Sequence, residues 1–186
     1  MTMVKLPRFQ AAVLAKVFDS APIHEEAVTL EFKLSDSADV FHVAYARLTD
    51  EAGYRDSYLV FSLASVANRV FMTVTAGRPR EVARALANLE EYDRQTSLSG
   101  GSVIRVPDQF FGTHGLTAVL LLRPSTLNGF DDVEDSSEVQ GRRLDFSLTL
   151  FLTEAELEFK RLHGHDALMS RFDAEGRDVR TFMSEQ

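Results

Sequence analysis

Leu150-Phe-Leu-Thr-Glu-Ala-Glu-Leu-Glu-Phe159 changes from strand to helix without a linker between the two. Leu144–Leu152 reads as the strand. Thr153-Glu-Ala-Glu156 is a capping box: the threonine hydroxyl accepts a backbone amide hydrogen bond and Glu156 reaches back to the start of the helix. The helix therefore runs Glu154–His163 and closes at Gly164, which suits a left-handed C-cap. A shorter helix, Asp166–Phe172, follows, and Gly176 marks its end.

Leu116–Arg123, further upstream, is apolar at nearly every position, which fits a central strand covered on both faces, and Pro124 ends it. Pro107–Gly115 is expected as a loop carrying Phe110 and Phe111, and Gly100-Gly101 leads into a short strand, Ser102–Val106. Gly77-Arg-Pro-Arg80 opens a helix whose apolar stripe is Val82, Leu86 and Leu89 and whose end falls near Tyr92–Arg94. Strands at Val28–Leu34, Val40–Leu48, Tyr58–Leu63 and Arg69–Thr75 are joined by connections short enough for an antiparallel meander. Pro7–Phe18 begins the order as a helix with Phe9, Val13 and Val17 at helical spacing. The expected class is α+β, a mixed, largely antiparallel sheet with helices packed against it, in a single domain over residues 1–186. Leu127–Gly141 is expected to be a mobile acidic loop. Asp131, Asp132, Glu134, Asp135 and Glu138 fall close together there without a basic residue, and like charges repel. The oxygen spacing of a calcium loop is missing from it.

A length of 186 residues is that of one domain with a proper core, and 45% hydrophobic with 26% charged residues is ordinary globular composition. Fourteen Phe and no Trp point to a core filled by phenylalanine, the alternative being an exposed Phe cluster for a partner. The absence of Cys excludes disulfides, thiolate metal sites and a cysteine nucleophile. Met1–Arg8 is too short and too polar for a secretory signal, and no run approaches the roughly 18 apolar residues that span a bilayer. The expectation is a cytoplasmic protein with no membrane partner. A net charge of −8 argues against nucleic acid, which needs a basic surplus to displace counterions, and suits a basic protein partner.

No constellation demands an enzyme. His163-Gly164-His165 lacks the i, i+4 spacing that puts two imidazoles on one helix face, and His24 with Glu25 and Glu26 reads as an exposed polar turn. His42 lies in a strand and His114 in a loop, neither beside an obvious nucleophile. No nucleophile elbow, phosphate-cradling loop or dinucleotide fingerprint occurs, and no metal or other cofactor is expected. Arg78, Arg80 and Arg84 surround a helix start, where free amides also favour an anion; a bound phosphate is the alternative to surface arginines balancing nearby acids.

Taken in order, Ala85-Leu-Ala-Asn-Leu-Glu-Glu-Tyr92, the glycine turn before Val103-Ile104, and Leu116-Thr-Ala-Val-Leu-Leu-Leu-Arg-Pro124 resemble successive signatures of the suppressor-of-fused family. Leu150–Phe159 and His163-Gly-His-Asp-Ala-Leu-Met169 resemble its closing strand, helix and turn, and Phe41–Leu48, Tyr58–Ser65 and Arg69–Thr75 lie along its early strands. Two departures stand out. The family's glycine and methionine at a strand end are absent from Ser62-Leu-Ala-Ser65, and its turn histidine is absent from Gly100-Gly101-Ser102. The resemblance implies a mixed α/β sandwich without catalysis, matching in length the family's N-terminal domain. Animal members clasp a partner peptide as an added strand beside a helix-end tyrosine and a polar turn; the matching positions are Tyr92 and Gly101, with Ser102 adjoining. Bacterial members imply an immunity protein that neutralises a toxin. The expected function is thus a non-enzymatic protein-binding domain, with a basic toxin domain as partner, and phosphate binding by Arg78, Arg80 and Arg84 as the alternative.

Overall fold

Four strands follow one another as the meander that their short connections predict: β1 (Val28–Lys33), β2 (Val40–Arg47), β3 (Tyr58–Ser62) and β4 (Arg69–Thr75). They belong to a computed structural model that describes residues 5–24, 26–35, 37–50, 53–106 and 109–181. The start of Met1–Arg8, Glu25, and parts of the connections expected at Ser35–Asp39, Asp50–Gly53 and Pro107–Gly115 lie outside the described residues. Helix α1 (Arg8–Ser20) precedes the meander, and α2 (Pro79–Thr96) follows it. The chain then makes β5 (Val103–Arg105), α3 (Gln109–Thr113), β6 (Leu116–Leu122), β7 (Ser136–Val139) and β8 (Arg142–Thr153), and ends in α4 (Glu154–His163) and α5 (His165–Glu175). The strand order is β1-β2-β3-β4-β8-β6-β5, with β7 also on β8. Every pair is antiparallel except β4 with β8, so the sheet is mixed and mostly antiparallel, as expected.

Strand alternation distributes the core over both faces. On β8, Leu144, Phe146 and Leu148 pack with Val13 and Val17 of α1, while Leu150 and Leu152 meet Leu168 and Phe172 of α5. Phe151 points the other way, into the cluster with Val82, Leu86 and Leu89 of α2, and stacks on Phe111 with 4.8 Å between ring centroids. The result is three layers, with α2 and α3 on one face of the sheet and α1, α4 and α5 on the other. Phe41, Phe61, Phe71, Phe111, Phe130 and Phe151 are fully buried, so phenylalanine fills the core. Among the described residues the exposed large apolar side chains are Tyr92 and Leu162, and no exposed Phe cluster exists. No helix among them is long and apolar enough to cross a membrane, and no group of three or more acidic or histidine side chains could hold a metal ion.

Four local expectations are corrected. Strand β6 is covered on both faces but sits one strand from the edge, because β8 inserts between it and β4. Leu127–Gly141, expected as a loop throughout, contains β7, and its Leu127, Phe130 and Val133 are buried against the α1 side. Those three apolar residues recur every third position, with Phe130 N donating to Leu127 O and Val133 N to Phe130 O, so the acids between them face outwards. Part of the expected loop around Phe111 is the short helix α3. Gly164 has φ +90° but an extended ψ of 177°, so it turns the chain from α4 into α5 without a left-handed cap. The capping box of Thr153 and Glu156 is present with both hydrogen bonds, at 3.3 and 2.8 Å.

Glu90 of α2 is fully buried and holds the turn between β3 and β4, its Oε1 accepting the amides of Val66 at 2.7 Å and Ala67 at 3.3 Å. Its Oε2 is buried without a hydrogen-bond partner. Burial pushes the carboxyl up to about 7, against the opposing pull of the amides and the Arg142 charge. The folded protein therefore holds this proton more tightly than the unfolded chain. Its contribution is fully present below the ordinary carboxylate value and is lost as pH rises to 7, a change on the order of 3 kcal/mol. Urea unfolding between pH 4.5 and 8 is expected to show that decline, and Glu90→Gln, which keeps the acceptor and cannot ionise, to flatten it. An unchanged slope in the variant would place the titration elsewhere.

Candidate functional site

The sheet ends at β5, and what places β5 is a buried ion pair. Arg69 stands at the start of β4 on the α2 face, and Asp93 lies in the last turns of α2; each is 8% exposed. Arg69 Nε donates to Asp93 Oδ2 at 3.3 Å, Nη1 to Ser147 Oγ of β8 at 2.8 Å, and Nη2 to the carbonyl of Leu98. Asp93 Oδ1 accepts the amide of Leu98 at 2.7 Å. Both backbone groups of Leu98 are thus fixed by one ion pair, so the chain leaving α2 has a defined exit towards β5.

The exit turn closes on itself. Ser102 Oγ accepts the amide of Ser99 at 3.1 Å, and Gly101, at φ +80°, donates its amide to Leu121 O at 2.8 Å. A side chain at Gly101 would meet no atom within 4 Å, so the left-handed backbone and not space favours glycine. Leu121 N donates to Ser102 O at 3.0 Å and Val106 N to Thr117 O at 2.9 Å. Antiparallel strands alternate which residues turn towards the partner, so Ile104 faces β6, while the N–H and C=O groups of Val103 and Arg105 point away from the sheet.

Beside this open edge runs a groove of about 520 Å³ between α2 and β5. Ala85, Asn88, Leu89 and Tyr92 form its helical wall, Val103–Val106 the strand wall, and Val119 with Phe151 the floor. Tyr92 is 44% exposed, a large ring left at the rim where burial would be expected. Arg105 is anchored across to Glu154 of α4 by two hydrogen bonds of 3.0 and 2.9 Å. Hydrogen bonding to Arg105 holds the Glu154 carboxyl below the usual range.

The residues singled out in the sequence fall in different places. Tyr92 lines the groove, whereas Gly101 lies on a neighbouring cavity of about 840 Å³ with Arg69, Asp145 and His165. Ser102 turns its hydroxyl to Ser99. Arg84 lines a second groove, of about 630 Å³, on the β1 side of α2 together with Glu31, Lys33 and Glu91; Arg78 and Arg80 are not among its lining residues. His42 has two polar neighbours: Nε2 lies 3.3 Å from Glu31 Oε1, and its own amide donates to Ser65 Oγ at 2.8 Å. Arg69, Asp93 and Ile104 were missed as parts of the site. The first two carried a readable signal, since an arginine opening an apolar strand and an acid on an apolar helix both need a partner if buried.

No protein-family profile matches the chain, and no curated protein matches it in sequence. Solved structures do. One is a protein from Neisseria gonorrhoeae FA 1090 described as a SUFU (suppressor of fused protein) homolog, with TM-score 0.71, 15% identity and 92% of each chain covered. Another is a chain of the Sufu–Fu complex, with TM-score 0.67 and 13% identity over 98% of this chain and 92% of the other. This is the suppressor-of-fused fold.

Within that fold the Arg69–Asp93 pair is the support of the β5 edge. Arg69→Ala strands a buried carboxylate and is expected to cost about 3–5 kcal/mol in urea unfolding. Arg69→Met with Asp93→Leu should regain much of that stability, yet leave amide hydrogen exchange over residues 98–102 faster than in the wild type. If the double variant keeps wild-type protection there, the pair does not position the edge.

Proposed function

We propose that the chain is a non-enzymatic protein-binding domain that takes a segment of its partner as an added strand on β5. One observation carries the reading: a strand edge that is unpaired among the described residues lies directly beside an apolar groove whose rim is an exposed tyrosine. Strand addition uses both parts together. The outward groups of Val103 and Arg105 supply main-chain hydrogen bonds, and alternate side chains of the added strand reach the groove under Tyr92. One structurally similar chain comes from a complex, that of Sufu with Fu, which supports a protein as partner.

The finer proposal is an immunity protein, cytoplasmic in a bacterium, that neutralises a toxin domain. The net charge of −8 supports a basic partner, because opposite charge speeds encounter and disfavours acidic competitors. Phosphate binding by Arg78, Arg80 and Arg84 remains the other proposal, and Glu31 and Glu91, which share the groove of Arg84, oppose an anion there.

Growth protection measures the proposal directly. The chain is co-expressed with any toxin found encoded beside its gene, in the wild-type form and as Val103→Pro and Tyr92→Ala. Proline at position 103 removes an outward donor and leaves the β5–β6 ladder whole, so the variant should fold but lose protection. Tyr92→Ala should weaken binding by roughly tenfold or more, as loss of an interface aromatic does. Absence of binding and of protection by the wild type would overturn the immunity role, and full protection by Val103→Pro would overturn strand addition at β5.

A further inference from the structure

Among the described residues the sheet has a second open edge at its opposite end, and its sequence is complementary to itself. Strand β1 pairs with β2 in unbroken register over Val28–Lys33, with no bulge, proline or glycine to blunt its free side. His42 O accepts the amide of Leu63 at 2.9 Å, so even-numbered residues of β2 turn their backbone to β3. Arg47 O accepts the amide of His24 at 2.8 Å, so odd-numbered residues turn to the β1 side. Their partners Val28, Leu30 and Phe32 therefore face β2, and the N–H and C=O groups of Thr29, Glu31 and Lys33 point outwards.

We propose that two copies of the chain pair β1 against β1, antiparallel about a two-fold axis at Phe32. In a symmetric pair, outward residues must oppose outward residues, which puts the axis on a residue and not between two, and the extent of β1 leaves residues 29–33 as the choices. An axis at Glu31 sets Glu31 against Glu31, and one at Lys33 sets Lys33 against Lys33. An axis at Leu30 sets Lys33 against Ala27, and one at Thr29 sets Glu31 against Ala27, so neither pairs the charges of β1 with each other. At Phe32 the central pairs are complementary: Glu31 opposes Lys33 twice, Phe32 opposes Phe32, and Leu30 opposes Leu34, the residue just past β1, twice. Glu31 and Lys33 are exposed, while Leu30, Phe32 and Leu34 are only partly buried on the α2 side. The pairing would continue the groove of Glu31–Ser35, Arg84 and Glu91 across the axis into its copy. It also leaves the β5 grooves free at the two outer ends of a joined sheet, independently of what binds there.

Charge exchange tests the register. Sedimentation velocity of the wild type is expected to show a concentration-dependent dimer. Glu31→Lys or Lys33→Glu alone places like charges opposite each other twice and should raise the dissociation constant by roughly tenfold or more. The double variant E31K/K33E should dimerise again, and so should an equimolar mixture of the two single variants, which restores both pairs across the axis. Lys33→Glu leaves the Glu31–His42 contact in place, so a folding defect peculiar to Glu31→Lys would not decide the result. A wild type that stays monomeric at every concentration would show that the charges only guard the edge and would overturn the proposal. A dimer indifferent to the single exchanges, or a mixture that fails to recover, would overturn it as well.

Discussion

The parallel pairing of β4 with β8 is the constraint on which the remaining arrangement depends. Parallel neighbours cannot be joined by a hairpin, so the chain between them must leave the sheet and return. Here that excursion carries α2 across one face and then lays down β5 and β6 on the far side of β8. Arg69 sits where the consequences meet. From the first residue of β4 it reaches β8 through Ser147, α2 through Asp93 and the exit of the excursion through Leu98. A buried guanidinium is costly to desolvate and tolerable only with its donors used, which makes the geometry of its partners exacting. Position, more than net stabilisation, is what such a pair supplies.

Much of this architecture is written locally and was legible. Alternation marked the meander, helical spacing marked α1 and α2, and the Thr153–Glu156 box fixed the start of α4 to the residue. The parts that escaped are those without a local signature. Pairing of residues 69–72 with 145–148 joins segments far apart in sequence, and no periodicity in either strand names its neighbour. Strand β7 was hidden by charge: Ser136–Val139 contains one apolar residue, and its strand conformation comes from the hairpin with β8. The buried spacing of Leu127, Phe130 and Val133 was visible, but five nearby acids outweighed it in the reading.

The site divides the same way. Tyr92 was marked only by resemblance, since a tyrosine ending an amphipathic helix gives no sign of whether it closes a core or rims a groove. Its exposure follows from β5 being three residues long and terminal in the sheet, so no further strand covers the ring. The polar turn at Gly101 and Ser102 sets the path of the backbone into β5, while the groove walls come from α2 and β5 themselves. The three arginines look like a cluster in sequence, but of the three only Arg84 lines the groove on the β1 side of α2, which Glu91 also lines.

Helix α2 lies between two grooves, each bounded by one free edge of the sheet, and Asn88 lines both. An open edge offers the same main-chain groups wherever it occurs, so the neighbouring side chains must decide what it accepts. On the β5 side these are Leu89, Tyr92, Ile104, Val119 and Phe151, an apolar surface that rewards burial of a foreign side chain. On the β1 side Glu31, Lys33, Arg84 and Glu91 mix both signs of charge and penalise any strand whose charges are out of step. Under the two strand-pairing proposals, chemically identical edges acquire different selectivities: one is permissive towards apolar anchors of varied sequence, and the other is restricted to a strand with a matching order of charge.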